Sequence, residues 1–247
     1  MNIYQRILQK KDEGKKQLSI LIDPDKSDKQ HFKNIARLSM EAKIDYFFIG
    51  GSLLSNDALS LCLDVLSSET DIPKVIFPGS TLQMNAQADA LLFLSLISGR
   101  NPEMLIGRHV EAAPYLRNSG LEIIPTGYIL ISGGRVTTVQ YMSNTLPIPA
   151  DKPQIAVCTA MAGEMLGLKL IFLEAGSGAD SPVPANLIEQ VRQNIELPII
   201  VGGGIKNSLL AEMALKAGAD LIVVGNAAEK NPNLIAEIAR CVHAFPK

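Results

Sequence analysis

The sequence predicts a single (β/α)8 barrel of the TIM type, modified by a degenerate helix after its third strand. Three observations lead there. Eight short apolar runs are spread over 247 residues, most of them continuous, not alternating. That is the pattern of strands covered on both faces, as in a parallel sheet. Helical patterns fill most of the gaps between them. The last two runs each end in glycine: Pro198-Ile199-Ile200-Val201 leads into Gly202-Gly203-Gly204, and Leu221-Ile222-Val223-Val224 into Gly225-Asn226. Glycine at a strand end bares backbone N–H groups, and a following helix adds the positive end of its dipole. Two such turns side by side make a seat for a phosphate dianion, and in this fold that seat follows strands 7 and 8 at the reactive face.

In chain order the strands are read at Leu18–Asp23, Tyr46–Gly50, Lys74–Phe77, Ala90–Leu94, Glu122–Pro125, Leu168–Glu174, Pro198–Val201 and Leu221–Val224. One helix is especially well marked. Asn207 caps it, Leu209, Leu210, Met213, Ala214 and Ala217 are read as one apolar face, and Gly218 closes it. Two gaps are irregular. Between Phe77 and Ala90 a full helix barely fits, so that unit is read as degenerate. Between Pro125 and Lys152 lies a stretch rich in Gly, Thr, Ser and Pro. Long top-face loops serve as lids or substrate walls, and the competing reading is a surface insertion without consequence.

Composition excludes several classes. Lys plus Arg is 23 and Asp plus Glu is 25, so a general nucleic-acid binder is not expected. Cys62, Cys158 and Cys241 have no disulfide or zinc spacing, and Cys62 and Cys158 are read as small core residues. His31, His109 and His243 are isolated, which argues against a histidine metal site or a catalytic triad. No signal-peptide core appears and no apolar run approaches the ~18 residues of a membrane span, so the cytoplasm is the expected compartment.

Four strand ends carry candidate chemistry. Ile22-Asp23-Pro24-Asp25-Lys26 gathers two carboxylates and an ammonium at the end of strand 1. Hard oxygen donors suit Mg2+, which needs one or two carboxylates plus substrate phosphate. The competing reading is a Pro-centred turn with a helix cap at Ser27 or Asp28. Gly50-Gly51-Ser52 follows strand 2, where the Ser52 oxygens can reach a metal. Phe172-Leu173-Glu174-Ala175-Gly176-Ser177-Gly178 closes strand 6, and Glu174 is the best general-base candidate in the chain, the competing reading being an ion pair with a lysine. The glycine corners after strands 7 and 8 are the fourth. No lysine is expected inside the barrel near the top, which argues against Schiff-base chemistry. Lys74 and Lys169 begin strands, while Lys26 and Lys206 sit in top-face loops suited to phosphate contacts.

Taken together, Asp-Pro-Asp after strand 1, Gly-Gly-Ser after strand 2, Phe-Pro-Gly-Ser at Phe77–Ser80, Ser98-Gly99-Arg100-Asn101-Pro102, Glu-Ala-Gly-Ser-Gly after strand 6, Gly-Gly-Gly and Gly-Asn resemble the geranylgeranylglyceryl phosphate synthase family, the PcrB-like prenyltransferases. The resemblance covers nearly the whole chain. It implies Mg2+-dependent transfer of a prenyl chain from an allylic diphosphate to the hydroxyl of sn-glycerol 1-phosphate. Carried over by motif, Asp23 and Ser52 hold the metal. Phe172 through Gly178, Gly203, Gly204, Gly225 and Asn226 bind glycerol phosphate. Two departures stand out: Phe172 replaces a common Tyr, and Leu21 stands where one branch has Lys. The chain thus looks like the other branch, whose members are often dimers or hexamers. A peripheral membrane contact for the lipid product is a further expectation. The prenyl tail needs an apolar groove, sought near Leu82–Leu96 and Met104–Ile106, although most of those residues also read as core. The alternative function is a phosphosugar isomerase or lyase using the same phosphate seat, with Asp23 and Glu174 as its acid–base pair and no need of a metal.

Overall fold

The computed structural model describes residues 1–26, 28–54 and 58–246. Eight parallel strands close into one barrel in chain order. They are β1 (Gln17–Ile22), β2 (Tyr46–Ile49), β3 (Lys74–Ile76), β4 (Ala90–Leu96), β5 (Glu122–Leu130), β6 (Leu170–Glu174), β7 (Ile199–Gly202) and β8 (Leu221–Val224). The helices are α1 (Ile3–Asp12), α2 (Lys29–Ala42), α3 (Ala58–Glu69), α4 (Arg108–Asn118), α5 (Thr138–Ser143), α6 (Pro153–Met165), α7 (Ala185–Arg192), α8 (Ser208–Lys216), α9 (Asn226–Lys230) and α10 (Leu234–His243).

Alternation explains the continuous apolar runs. Tyr46, Phe48, Leu92, Tyr128, Phe172 and Val223 point inward and fill the barrel. Their neighbours Phe47, Leu91, Ile129, Leu173 and Ile222 point outward and pack under the helices. Most strands are therefore dry on both faces, β4 being half-buried where it lines a cavity. β5 is the largest departure from expectation. It runs past Pro125 to Leu130, pairing with β4 from Ala90↔Glu122 to Leu96↔Tyr128 and with β6 from Thr126↔Leu170. The expected strand ends at Pro125, before the loop-like composition that begins with Thr126 and Gly127, but two flanking ladders carry strand geometry through them. The rest of that stretch carries α5, and an isolated bridge joins Ile131 to Ile148.

α1 closes the bottom of the barrel. Its N-cap Asn2 forms a capping box with Gln5, and Ile3 and Ile7 join the interior cluster. The Glu122 carboxylate accepts the N–H groups of Ile3 (2.6 Å) and Tyr4 (2.9 Å), an anion placed at a helix N-terminus. Beside it, buried Asp45 ties three elements. It pairs with Lys10, accepts from Leu18 N–H (2.8 Å), and lies 3.3 Å from His243 Nε2. Burial opposes its ionisation, but these partners win and hold its carboxyl below the ordinary value.

Two helical expectations need correction. Asn207 does cap α8, accepting from Leu210 N–H at 2.9 Å, and Asp28 caps α2; the Ser27 alternative lies outside the described residues. On α8, however, the buried side is Ala211, Ala214 and Leu215, while Leu209 and Met213 are exposed. The helix carries apolar residues on more than one side, so the pattern did not fix its phase. Cys62 is buried as expected, but Cys158 is exposed, because α6 buries Ala156, Val157 and Ala160 instead. Between β3 and β4 no helix forms, as the short gap predicted. Among the described residues no helix is long and apolar enough to cross a membrane.

Candidate active site

All eight strands run parallel, so Asp23, the Gly50–Ser52 turn, Glu174, Gly203 and Gly225 follow strand ends on one rim. The acidic corner and the glycine corners therefore face one mouth.

Glu174 is the last residue of β6 and is 5% exposed. Its Oε1 accepts the Gly176 N–H at 2.7 Å. Burial pushes its pKa up to about 7, with the Gly176 hydrogen bond opposing part of the rise. No lysine pairs with it among the described residues, so the ion-pair reading of this glutamate does not hold. Gly203 makes room for it. Its φ is +78°, and an added Cβ would collide with Glu174 Oε1 and stand 2.7 Å from Gly176 N. Phe172 lies one layer below, fully buried, stacked on Phe77 (5.2 Å) and edge-on to Tyr128 (5.5 Å). Leu173 and Ala175 turn outward into the helix-facing core. The segment from 172 to 178 therefore offers the mouth its Glu174 carboxylate, its backbone and the exposed Ser177, not the side chains of Leu173 or Ala175.

The glycine corners differ from the simple strand–turn–helix picture. α8 begins at Ser208, beyond Ile205, Lys206 and Asn207, and α9 has only five residues. A phosphate here would meet turn amides and side chains, not long helix dipoles. Lys206 Nζ donates to Asp180 O at 3.2 Å, and Lys26 Nζ reaches Asn226 Oδ1 at 3.4 Å. Lys74 starts β3 and donates to Thr70 O, at the bottom of the barrel.

At the acidic corner, Asp23 Oδ2 pairs with Lys26 at 2.6 Å, and the Asp23 N–H donates to Glu229 Oε1 at 2.9 Å. A Cβ at Gly51 would lie 3.1–3.2 Å from the Asp23 carboxylate, so the bare glycine lets the β2 turn pack tightly against that acid. Buried Gln83 fixes that turn. Its Oε1 accepts from Gly51 and Gly79 N–H, and its Nε2 donates to Gly51 O at 2.7 Å. Ser52 follows directly. One carboxylate and the Ser52 oxygens are hard donors, and among the described residues no three His, Cys, Asp or Glu converge. That set fits Mg2+, whose remaining ligands come from water and substrate phosphate. Burial, and next the Asp23 charge, raise the pKa of Glu229 against the Asp23 amide and Lys26.

Beside this mouth lies a cavity of about 900 Å3, near the top of the ~300–1,000 Å3 range of small-molecule sites. It occupies the space under which a third barrel helix would pack. Leu82, Leu92, Met104, Ala112, Leu116 and Tyr128 are among its walls, and Ser52 and Gly79 stand at its polar end. Ile106 is exposed and lies outside it.

Sequence reasoning missed Gln83, Glu229 and Arg135. Gln83 and Glu229 act by supporting a neighbour, which leaves no motif. Arg135 sits in the stretch read as a wall or insertion, and a Cβ at Gly178 would come 2.7 Å from its Nη2.

Comparison with known proteins agrees over nearly the full length. The chain is 53% identical over 242 residues to a geranylgeranylglyceryl phosphate synthase of Chitinophaga pinensis, covering 98% of this chain and 96% of that one. It is 37% identical over 231 residues to the protein of the same name from Pyrococcus horikoshii, covering 93% and 90%. The crystal structure of (S)-3-O-geranylgeranylglyceryl phosphate synthase from Thermoplasma acidophilum, in complex with substrate sn-glycerol-1-phosphate, superimposes with a TM-score of 0.94 at 32% identity, covering 99% and 100%. The PcrB family model matches residues 11–242. With an acid and two glycine corners on one rim of a parallel barrel, an apolar cavity beside β4, and relatives this similar end to end, the chain belongs to the PcrB family.

Proposed function

We propose that this protein joins an allylic prenyl diphosphate to sn-glycerol 1-phosphate, forming an ether-linked prenylglyceryl phosphate. One observation carries the reading: Glu174, a buried carboxylate whose pKa burial raises to about 7, ends β6 on the same rim as the glycine corners, beside a large, mostly apolar cavity walled in part by Tyr128. The bound glycerol phosphate of the Thermoplasma acidophilum relative supports the acceptor.

The Gly203-Gly204 and Gly225-Asn226 turns, with Gly176 to Gly178, hold the acceptor phosphate and aim its free hydroxyl inward. Positioning of this kind supplies several kcal/mol, with ~7–11 as the upper range for well-oriented reactants. The donor tail lies in the cavity, where each buried CH2 contributes roughly 0.8 kcal/mol. Its first carbon then faces the acceptor oxygen. As the carbon–oxygen bond to diphosphate breaks and the ether bond forms, Glu174 takes the hydroxyl proton. Asp23 and Ser52 hold Mg2+, which when bound neutralises charge developing on the departing diphosphate. Geranylgeranyl diphosphate is the proposed donor. A peripheral membrane contact suits the lipid product and the exposed Leu53 and Leu82 at the cavity edge. Assembly into dimers or hexamers follows from the family resemblance.

The test supplies Mg2+, labelled glycerol phosphate of each enantiomer, and prenyl diphosphates of increasing length. Label moving into organic solvent with sn-glycerol 1-phosphate is the expected result. No transfer with any donor overturns the proposal.

A further inference from the structure

Arg135 lies in the loop between β5 and α5, and that loop is docked on the one after β6. Gly133 O accepts the N–H groups of Asp180 (2.9 Å) and Ser181 (3.2 Å). A Cβ at Gly133 would stand 2.6 Å from Ala179 Cβ, and one at Gly176 would meet Thr137 Oγ1 at 2.7 Å. The loop is thus held in close contact on both sides of Arg135. Its guanidinium crosses the β6 loop toward the β8 corner: Arg135 Nη2 is 2.7 Å, and Asn226 Nδ2 is 3.8 Å, from the point a Cβ on Gly178 would occupy.

We propose that Arg135 grips the acceptor phosphate and sets the preference of this site for a phosphomonoester dianion over an uncharged polyol. The proposal rests on the acceptor reading above. Lys26, whose Nζ reaches Asn226, already pairs with Asp23 at 2.6 Å. Among the described residues Arg135 has only a loose partner, Asp180 at 3.9 Å, with side chains 56% and 61% exposed. Such a pair contributes little, so the guanidinium donors remain available to a ligand. Its planar fork matches two oxygens of a phosphate group, which an ammonium cannot do.

The test compares wild type, Arg135→Gln and Arg135→Lys, first checking that their melting temperatures agree. Steady-state rates are measured against sn-glycerol 1-phosphate at saturating donor, and binding of that compound and of inorganic phosphate is followed by 31P NMR. Arg135→Gln should raise the acceptor KM and Kd roughly ten-fold, the lower end for a charge-assisted bond because the site is half open. Its kcat and donor KM should change little, inorganic phosphate should weaken in parallel, and Arg135→Lys should recover part of the loss. An unchanged acceptor KM in Arg135→Gln, or a fall in kcat alone, overturns the assignment while leaving the acceptor reading intact. A wild-type protein that binds inorganic phosphate but no glycerol phosphate sinks the acceptor reading, and this assignment with it.

Discussion

Replacing Glu174 by Gln tests two consequences of one buried carboxyl. Gln keeps the size and an oxygen that can accept the Gly176 N–H, but it cannot take a proton at neutral pH. Loss of a general base costs roughly 10²–10⁴ in turnover. The pH dependence gives a second reading. With a pKa of about 7, some tenth of the wild-type enzyme carries the ionised base at pH 6 and some nine-tenths at pH 8, so kcat/KM should rise about ten-fold across that interval and then level off. Stability gives a third. The carboxyl moves from its ordinary 4.5 to about 7 on folding. The native state therefore binds more protons than the unfolded chain between those values, and wild-type stability falls as pH rises through that window, by about 3 kcal/mol at most. Gln has no charge to bury. Glu174→Gln should melt several degrees above wild type at pH 8, and the gap should close below pH 4.5. Turnover near wild type, a flat rate profile from pH 6 to 8, or superimposed melting curves at pH 8 would refute the reasoning.

Other perturbations separate the corners of the site. Asp23→Asn should lower kcat by roughly 10² or more at every Mg2+ concentration while acceptor binding by 31P NMR changes little. Chelation of Mg2+ in the wild type should have the same signature and be reversible. Gly203→Ala forces a Cβ onto the Glu174 carboxylate at a φ of +78°; it should cost roughly 1–3 kcal/mol of strain, visible in denaturant midpoints, and weaken the acceptor. Asp45→Asn removes the charge at the barrel bottom and should cost about 1–3 kcal/mol, below the range for a fully buried pair because Lys10 and His243 are partly exposed. Because the folded pKa of Asp45 is depressed, its contribution is present above the ordinary value of 3.8 and fades as pH falls below it. Acceptor KM should not move.

Most of the barrel was legible because most strands bury both faces and each glycine corner leaves a local signature. Leu221–Val224 appears with both ends where the apolar run places them. The expected β5 ends at Pro125 because Thr126 and Gly127 interrupt the apolar run, and the ladders to β4 and β6 carry the strand on to Leu130. The phase of α8 was misread because Leu209 and Met213 are as apolar as the residues that pack. Glu174 was visible as an acid at a strand end. That its pKa lies near 7 was not, because desolvation depends on neighbours far away in sequence.

The chain alone determined the strand count, the parallel order, the degenerate unit after β3 and the acids and glycines at the strand ends, since period, turn chemistry and gap length are properties of adjacent residues. Tertiary structure decided which of those ends meet. Only ring closure sets β8 beside β1, so that Asn226 touches Lys26, and only the packing of the β5 loop on the β6 loop carries Arg135 to Gly178. Contacts between segments tens to hundreds of residues apart leave no periodic trace in the sequence. They follow from how the whole barrel buries its apolar surface.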